Sequence, residues 1–177
     1  MRKLMYFVIA ITLFACSETP KGVESKIFTE KAVSDFIQQN PDWSKNVNTE
    51  ADVTEKFKHK MINLSNDANF LTDFPLQLTS ITDTIVSEQP VKIATFKSFK
   101  DTTRPKESLL NDLDLQIGAI MTPEQVASLT IDKKYFIKGM LYKQGKRADV
   151  KYFHGAATPI YTLGKYTFYN IEAKEIK

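Results

Sequence analysis

Hydrophobic positions change their spacing along the chain, and each change marks a different kind of element. From residue 27 to 39 they fall at helical intervals. Ala32, Val33, Phe36 and Ile37 form one stripe, Thr29 stands at the N-cap position, and Phe28 and Val33 are placed as a hydrophobic staple. Pro41 disfavours helical geometry at Asn40 and ends this helix, and Trp43 follows in the connection. A second helix is expected after Asn48 or Thr49. Its apolar face is Val53, Phe57, Met61 and Leu64, and its polar face is Glu55, Lys56, Lys58 and His59.

Beyond residue 75 the period falls to two. Residues 76–86 and 91–99 predict neighbouring strands, separated by Ser87, Glu88, Gln89 and Pro90. Residues 100–107 form a charged loop. Leu113, Leu115, Ile117, Ala119 and Met121 then alternate with polar or small residues, which predicts a strand buried on one side. Thr122, Pro123, Glu124 and Gln125 predict a capped short helix: Thr at the N-cap, Pro at the first helical position and Gln at the third. Strands are expected over 135–142, 150–154 and 166–176, with turns near Gly145 and at Leu163, Gly164 and Lys165; a further strand around 160–162 is an open possibility. Helices followed by strands define an α+β class. The two architectures that fit are a small barrel and a curved antiparallel sheet with both helices on one face.

One earlier segment has neither period. Leu4 to Ala15 is uncharged and follows Met1, Arg2 and Lys3. A helix of that length covers about 18 Å, against roughly 30 Å of bilayer hydrocarbon, so it is expected to be a signal peptide rather than a span. The chain thus divides into a signal at 1–15, a tether at 16–26 and a single domain at 27–177. The net charge of +3 includes Arg2 and Lys3. Without them the chain is nearly balanced, and composition gives no reason to expect a nucleic-acid partner. A single Cys, Cys16, excludes an internal disulfide.

Leu13, Phe14, Ala15 and Cys16 together resemble the lipobox of bacterial lipoproteins, with Phe14 departing from the usual small residue. The resemblance covers residues 1–16 alone. It implies acylation of Cys16, a membrane held through that lipid anchor, and a place in the bacterial cell envelope. Ser17 stands where an Asp would favour retention at the inner membrane, which points to the outer membrane. A polar tether of about ten residues gives the domain roughly 30–35 Å of reach. The element order of residues 76–176, with a helix between the third and fourth strands, resembles an oligonucleotide/oligosaccharide-binding (OB-type) barrel. That likeness carries no motif and no function.

Chemistry is sparse. His59 and His154 lie far apart, and no His-x-x-x-His pair, second Cys, Gly-x-Ser-x-Gly or glycine-rich phosphate loop is present. The sequence therefore predicts no cofactor and no metal. Asp112 and Asp114 share a strand face and are expected to be solvated. Tyrosine is unevenly placed: Tyr135, Tyr142, Tyr152, Tyr161, Tyr166 and Tyr169 crowd the C-terminal part, with Phe136, Phe153 and Phe168 among them. Tyr suits interfaces and sugar stacking, so Tyr142, Tyr152, Tyr161, Tyr166 and Tyr169 are the candidate binding residues for a protein or glycan ligand. At least two of them are expected side by side and exposed. The alternatives are an enzyme, or enzyme-associated subunit, acting on envelope polymer through His154 and a carboxylate, and a purely structural envelope component.

Overall fold

This computed structural model describes residues 25–43, 47–143, 151–154 and 159–177. Cys16, the signal segment and most of the tether lie outside the described residues, as do the side chains of Phe153 and His154.

The described residues open with two helices, α1 (Phe28–Gln39) and α2 (Val47–Leu64). The helical stripe is buried as its spacing requires: Val33, Phe36, Phe57 and Met61 all lie in the core. The expected N-cap is different. Ile27 occupies that position without a side-chain bond, and the buried Thr29 hydroxyl donates to the carbonyl of Phe70. A hydroxyl inside the core needs a partner, and a distant carbonyl serves better here than the helix's own amides. Trp43 is buried between the helices, its indole N–H donating to Thr54 Oγ1 at 3.1 Å.

Among the described residues six strands follow: β1 (Pro75–Val86), β2 (Gln89–Lys97), β3 (Leu113–Met121), β4 (Lys134–Leu141), β5 (Lys151–His154) and β6 (Pro159–Glu175). A single 3-10 turn at Leu109–Asn111 precedes β3, and α3 (Pro123–Ala127) separates β3 from β4. The class is α+β. Within the sheet the order is β3-β2-β1-β4-β6-β5, and β3 also pairs with β6. That extra pairing closes a ring of β1, β2, β3, β6 and β4. All neighbours in the ring are antiparallel except β3 and β6, which run parallel from Leu113 opposite Tyr161 to Ala119 opposite Phe168. A barrel rather than an open sheet is therefore the architecture.

Strong alternation fills the ring. Along β3 the side chains of Leu113, Leu115, Ile117, Ala119 and Met121 are all buried. They meet Leu76, Leu78, Ala94, Phe96, Tyr135, Ile137, Phe168 and Ile171 from the other strands, in one hydrophobic cluster continuous with that of the helices. Each Leu, Ile, Phe or Met among them is worth about 1.5–3 kcal/mol when fully buried. The capping box of α3 forms as its sequence dictates. Gln125 N donates to Thr122 Oγ1, and Thr122 N donates to Gln125 Oε1 at 2.9 Å. The Gln125 amide also reaches the Ile171 carbonyl at 3.1 Å, tying α3 to β6.

The turn expected at Leu163, Gly164 and Lys165 is instead a bulge inside β6. Between Asp114 and Leu115 the β3–β6 register shifts, and Gly164 absorbs the extra residue with φ of 116°. A residue with a Cβ is strained in that conformation, which is why Gly stands there. Residues 160–162 belong to this same strand. On the side of β6 away from β3, β4 and β5 lie end to end: Leu141 pairs with Phe168, and Lys151 pairs with Thr162.

A second bulge sits at Gly139, where the β4–β6 register shifts opposite Asn170 at φ of 53°. A Cβ on Gly139 would lie 2.4 Å from Ile171 Cδ1, 3.2 Å from the Tyr169 carbonyl and 3.3 Å from Phe168 Cβ. Gly139→Ala is therefore expected to lower stability by about 1–3 kcal/mol, read as a fall in the urea midpoint with unchanged slope. A midpoint equal to that of the parent protein would show that the bulge relaxes freely.

Candidate functional site

The register of β6 sorts the five candidate tyrosines into two environments. Tyr161 and Tyr166 are buried, at 6% and 7% exposure, so neither ring face is open to a partner. Tyr161 contacts Trp43 and Phe57, with centroids 5.5 and 6.2 Å away. Tyr166 meets Phe70 at 5.5 Å, and its hydroxyl donates to the Leu163 carbonyl at 2.8 Å. Tyr152 is half-buried. It pairs across the strands with Tyr161 and packs on Trp43 at 4.6 Å. Trp43 and Phe57 thus cover Tyr161, Trp43 packs on Tyr152, and Phe70, in the connection after α2, packs on Tyr166.

Burial has a chemical consequence here. It pushes the Tyr161 phenol up to about 12, helped by Tyr152 and Asp112, and moves the Tyr166 phenol upward as well. Both groups ionise later in the folded protein than in the unfolded chain. The stability they contribute is complete below pH of about 10 and is lost as pH rises toward the folded values. The urea midpoint is expected to fall above pH of about 10, while the 295 nm phenolate absorbance shows two tyrosines titrating late. Simultaneous titration of all tyrosines in the folded protein is the contrary result.

Tyr142 and Tyr169 lie on the other surface. They sit side by side, half-buried, with ring centroids 5.9 Å apart at 78°. β4 and β6 place them: Met140 pairs with Tyr169, and the Tyr142 amide donates to the Thr167 carbonyl at 2.8 Å. Met140 is 56% exposed beside them, and the Asn170 amide approaches its sulfur at 3.9 Å. Lys143 Nζ lies 5.5 Å from the Tyr142 ring. Ser87, at the tip of the β1–β2 hairpin, brings its hydroxyl to 3.4 Å from that of Tyr142. Two rings, a thioether, an amide, an ammonium and a hydroxyl therefore meet at one place on the surface. Such a group can stack on an apolar face and hydrogen-bond around its edge.

A second cluster was not legible as a site. Phe99 lies between two cations, Arg104 at 4.5 Å and Lys134 at 4.7 Å from its ring. Arg104 Nη1 donates to the Phe99 carbonyl and to Asn111 Oδ1, and Lys134 pairs with Asp101 at 2.9 Å. The Thr103 hydroxyl, then Lys134 and the Thr103 amide, hold the Asp101 carboxyl well below the usual carboxylate range. Each of these groups is engaged with another of the cluster, which fixes the β2–β3 connection and ties it to Lys134 at the start of β4. His59 is exposed on α2, and Asp114 is exposed on β3. Among the described residues no group of three His, Cys, Asp or Glu side chains is placed to hold a metal. Likewise, no helix among them is long and apolar enough to cross a membrane. No known protein family, curated protein or solved structure matches the chain.

Proposed function

We propose that this chain is a lipid-anchored binding module of the bacterial envelope, tethered through Cys16 and contacting a protein or glycan partner through Tyr142 and Tyr169. The observation that carries the ligand surface is the pairing of these two rings beside exposed Met140, on a face the helices do not cover. Tyr152, Tyr161 and Tyr166 leave the candidate set because they pack on Trp43, Phe57 and Phe70. Support for the anchor is the apolar run that ends at the only Cys. One acyl chain gives marginal binding, so the stable anchor needs more than one.

Two substitutions test the two halves separately. Cys16→Ala is expected to release the processed protein from the membrane fraction; undiminished retention places the anchor elsewhere. Tyr142→Ser combined with Tyr169→Ser is expected to weaken binding to immobilised envelope glycans or purified envelope proteins by about tenfold or more, as loss of an aromatic anchor does. The thermal midpoint should move less than for a core tyrosine, because both rings are only partly buried. Unfolding by the double substitution, or unchanged binding, counts against this surface.

A further inference from the structure

Among the described residues, the ring of strands leaves one length of backbone unpaired. β1 runs beside β4 only from Pro75 to Gln77, with Leu78 adding bonds to residues 132 and 133. After a register shift between Leu78 and Ser80, β1 continues to Val86 paired with β2 alone. Among the described residues nothing pairs with its other edge over residues 80–86.

The hairpin turn fixes which groups face that edge. Ser87 and Glu88 have φ of 51° and 65°, the two positive values of a type I′ turn. Val86 and Gln89 flank it, so the Val86 carbonyl bonds toward β2. Alternation then turns the amides and carbonyls of Thr84 and Thr82 toward β2, and those of Ile85, Asp83 and Ile81 outward. Three donors and three acceptors stand in a row at strand spacing.

Natural edges are blunted by Lys, Pro, bulges or short length. The tail of β1 does not follow that rule. It reads Ser-Ile-Thr-Asp-Thr-Ile-Val, its one charge is paired to Lys92 at 2.6 Å, and Ile85 is 73% exposed.

We infer that residues 80–86 pair with the same segment of a second copy of this chain, in an antiparallel ladder whose two-fold axis passes through Thr84. The chemistry of a backbone row selects an extended polypeptide, and the side chains select this one. Outward-facing odd residues must lie opposite one another, which leaves few registers. Centred on Asp83, the pairing sets two carboxylates face to face. Centred on Thr84, it sets Thr84 on Thr84, Thr82 on Val86 and Asp83 on Ile85, with no like charges opposed. Exposed Ile85 gains cover in the same step. An interface of this size belongs to the small, transient class.

The full chain carrying Cys16→Ala, purified and followed by sedimentation velocity from low-micromolar to millimolar concentration, is expected to dimerise reversibly. Ile85→Lys is expected to weaken dimerisation at least tenfold while leaving the circular dichroism spectrum unchanged, since the side chain is already in water. In the same Cys16→Ala background, Thr84→Cys is expected to form an interchain disulfide under mild oxidation, because directly opposed residues of a non-hydrogen-bonded pair sit about 4.5 Å apart at Cα. Lys165→Cys, on the far strand β6, should not. A monomer at all concentrations overturns the inference, as does a dimer indifferent to Ile85→Lys or one that cross-links equally at residue 165.

Discussion

Phe57→Ala is expected to cost about 3–5 kcal/mol, enough to remove much of the stability of a domain this size. The reason lies in where α2 places the ring. Phe57 has no exposed surface and lies 5.2 Å from Phe36, 5.0 Å from Trp43 and 6.2 Å from Tyr161. From α2 it thus reaches α1 through Phe36 and β6 through Tyr161. Truncation leaves a cavity between helix layer and barrel that neither rigid wall can collapse into. Urea denaturation measures the loss, and a change below about 1 kcal/mol would mean that the helices pack on the barrel only loosely.

Glu30→Ala is expected to be the costliest polar substitution, at about 3 kcal/mol. Glu30 is buried, and its carboxylate accepts from Ser108 Oγ at 2.7 Å, Leu109 N at 2.8 Å and Ser25 Oγ at 2.5 Å. It thereby caps the 3-10 turn before β3 and ties that turn to α1. Alanine strands these donors without an acceptor. Glu30→Gln keeps one acceptor oxygen and should lose about half as much. Equal losses for both variants would show that the charge, not the bonding geometry, holds the turn.

How much of this was legible depends on the range of the interactions involved. The β3 alternation and the α3 capping box are local, and both form as their residues dictate. Thr29 misled because its partner is the Phe70 carbonyl, far along the chain. Gly164 misled for a related reason. A glycine between strand-forming runs suits a turn or a bulge equally, and the choice was made by β3, which pairs with β6 on both sides of it. The tyrosines show the same limit. Aromatic residues on both faces of a strand indicate that both faces have cover or that one is a binding surface. Only the position of Trp43 and Phe57 against Tyr152 and Tyr161 assigns that end to the core, leaving Tyr142 and Tyr169 outside it.

The parallel pairing of β3 with β6 also sets the order in which the chain can become itself. Leu113 waits for Tyr161, and Ala119 waits for Phe168, before the ring has a fifth side. Contacts so distant in sequence form late, after the local hairpin of β1 and β2. A chain shortened before residue 159 is thus not a smaller barrel. It is an open sheet with β3 and β4 both unpaired along one side, the form most prone to join its neighbours before it is complete.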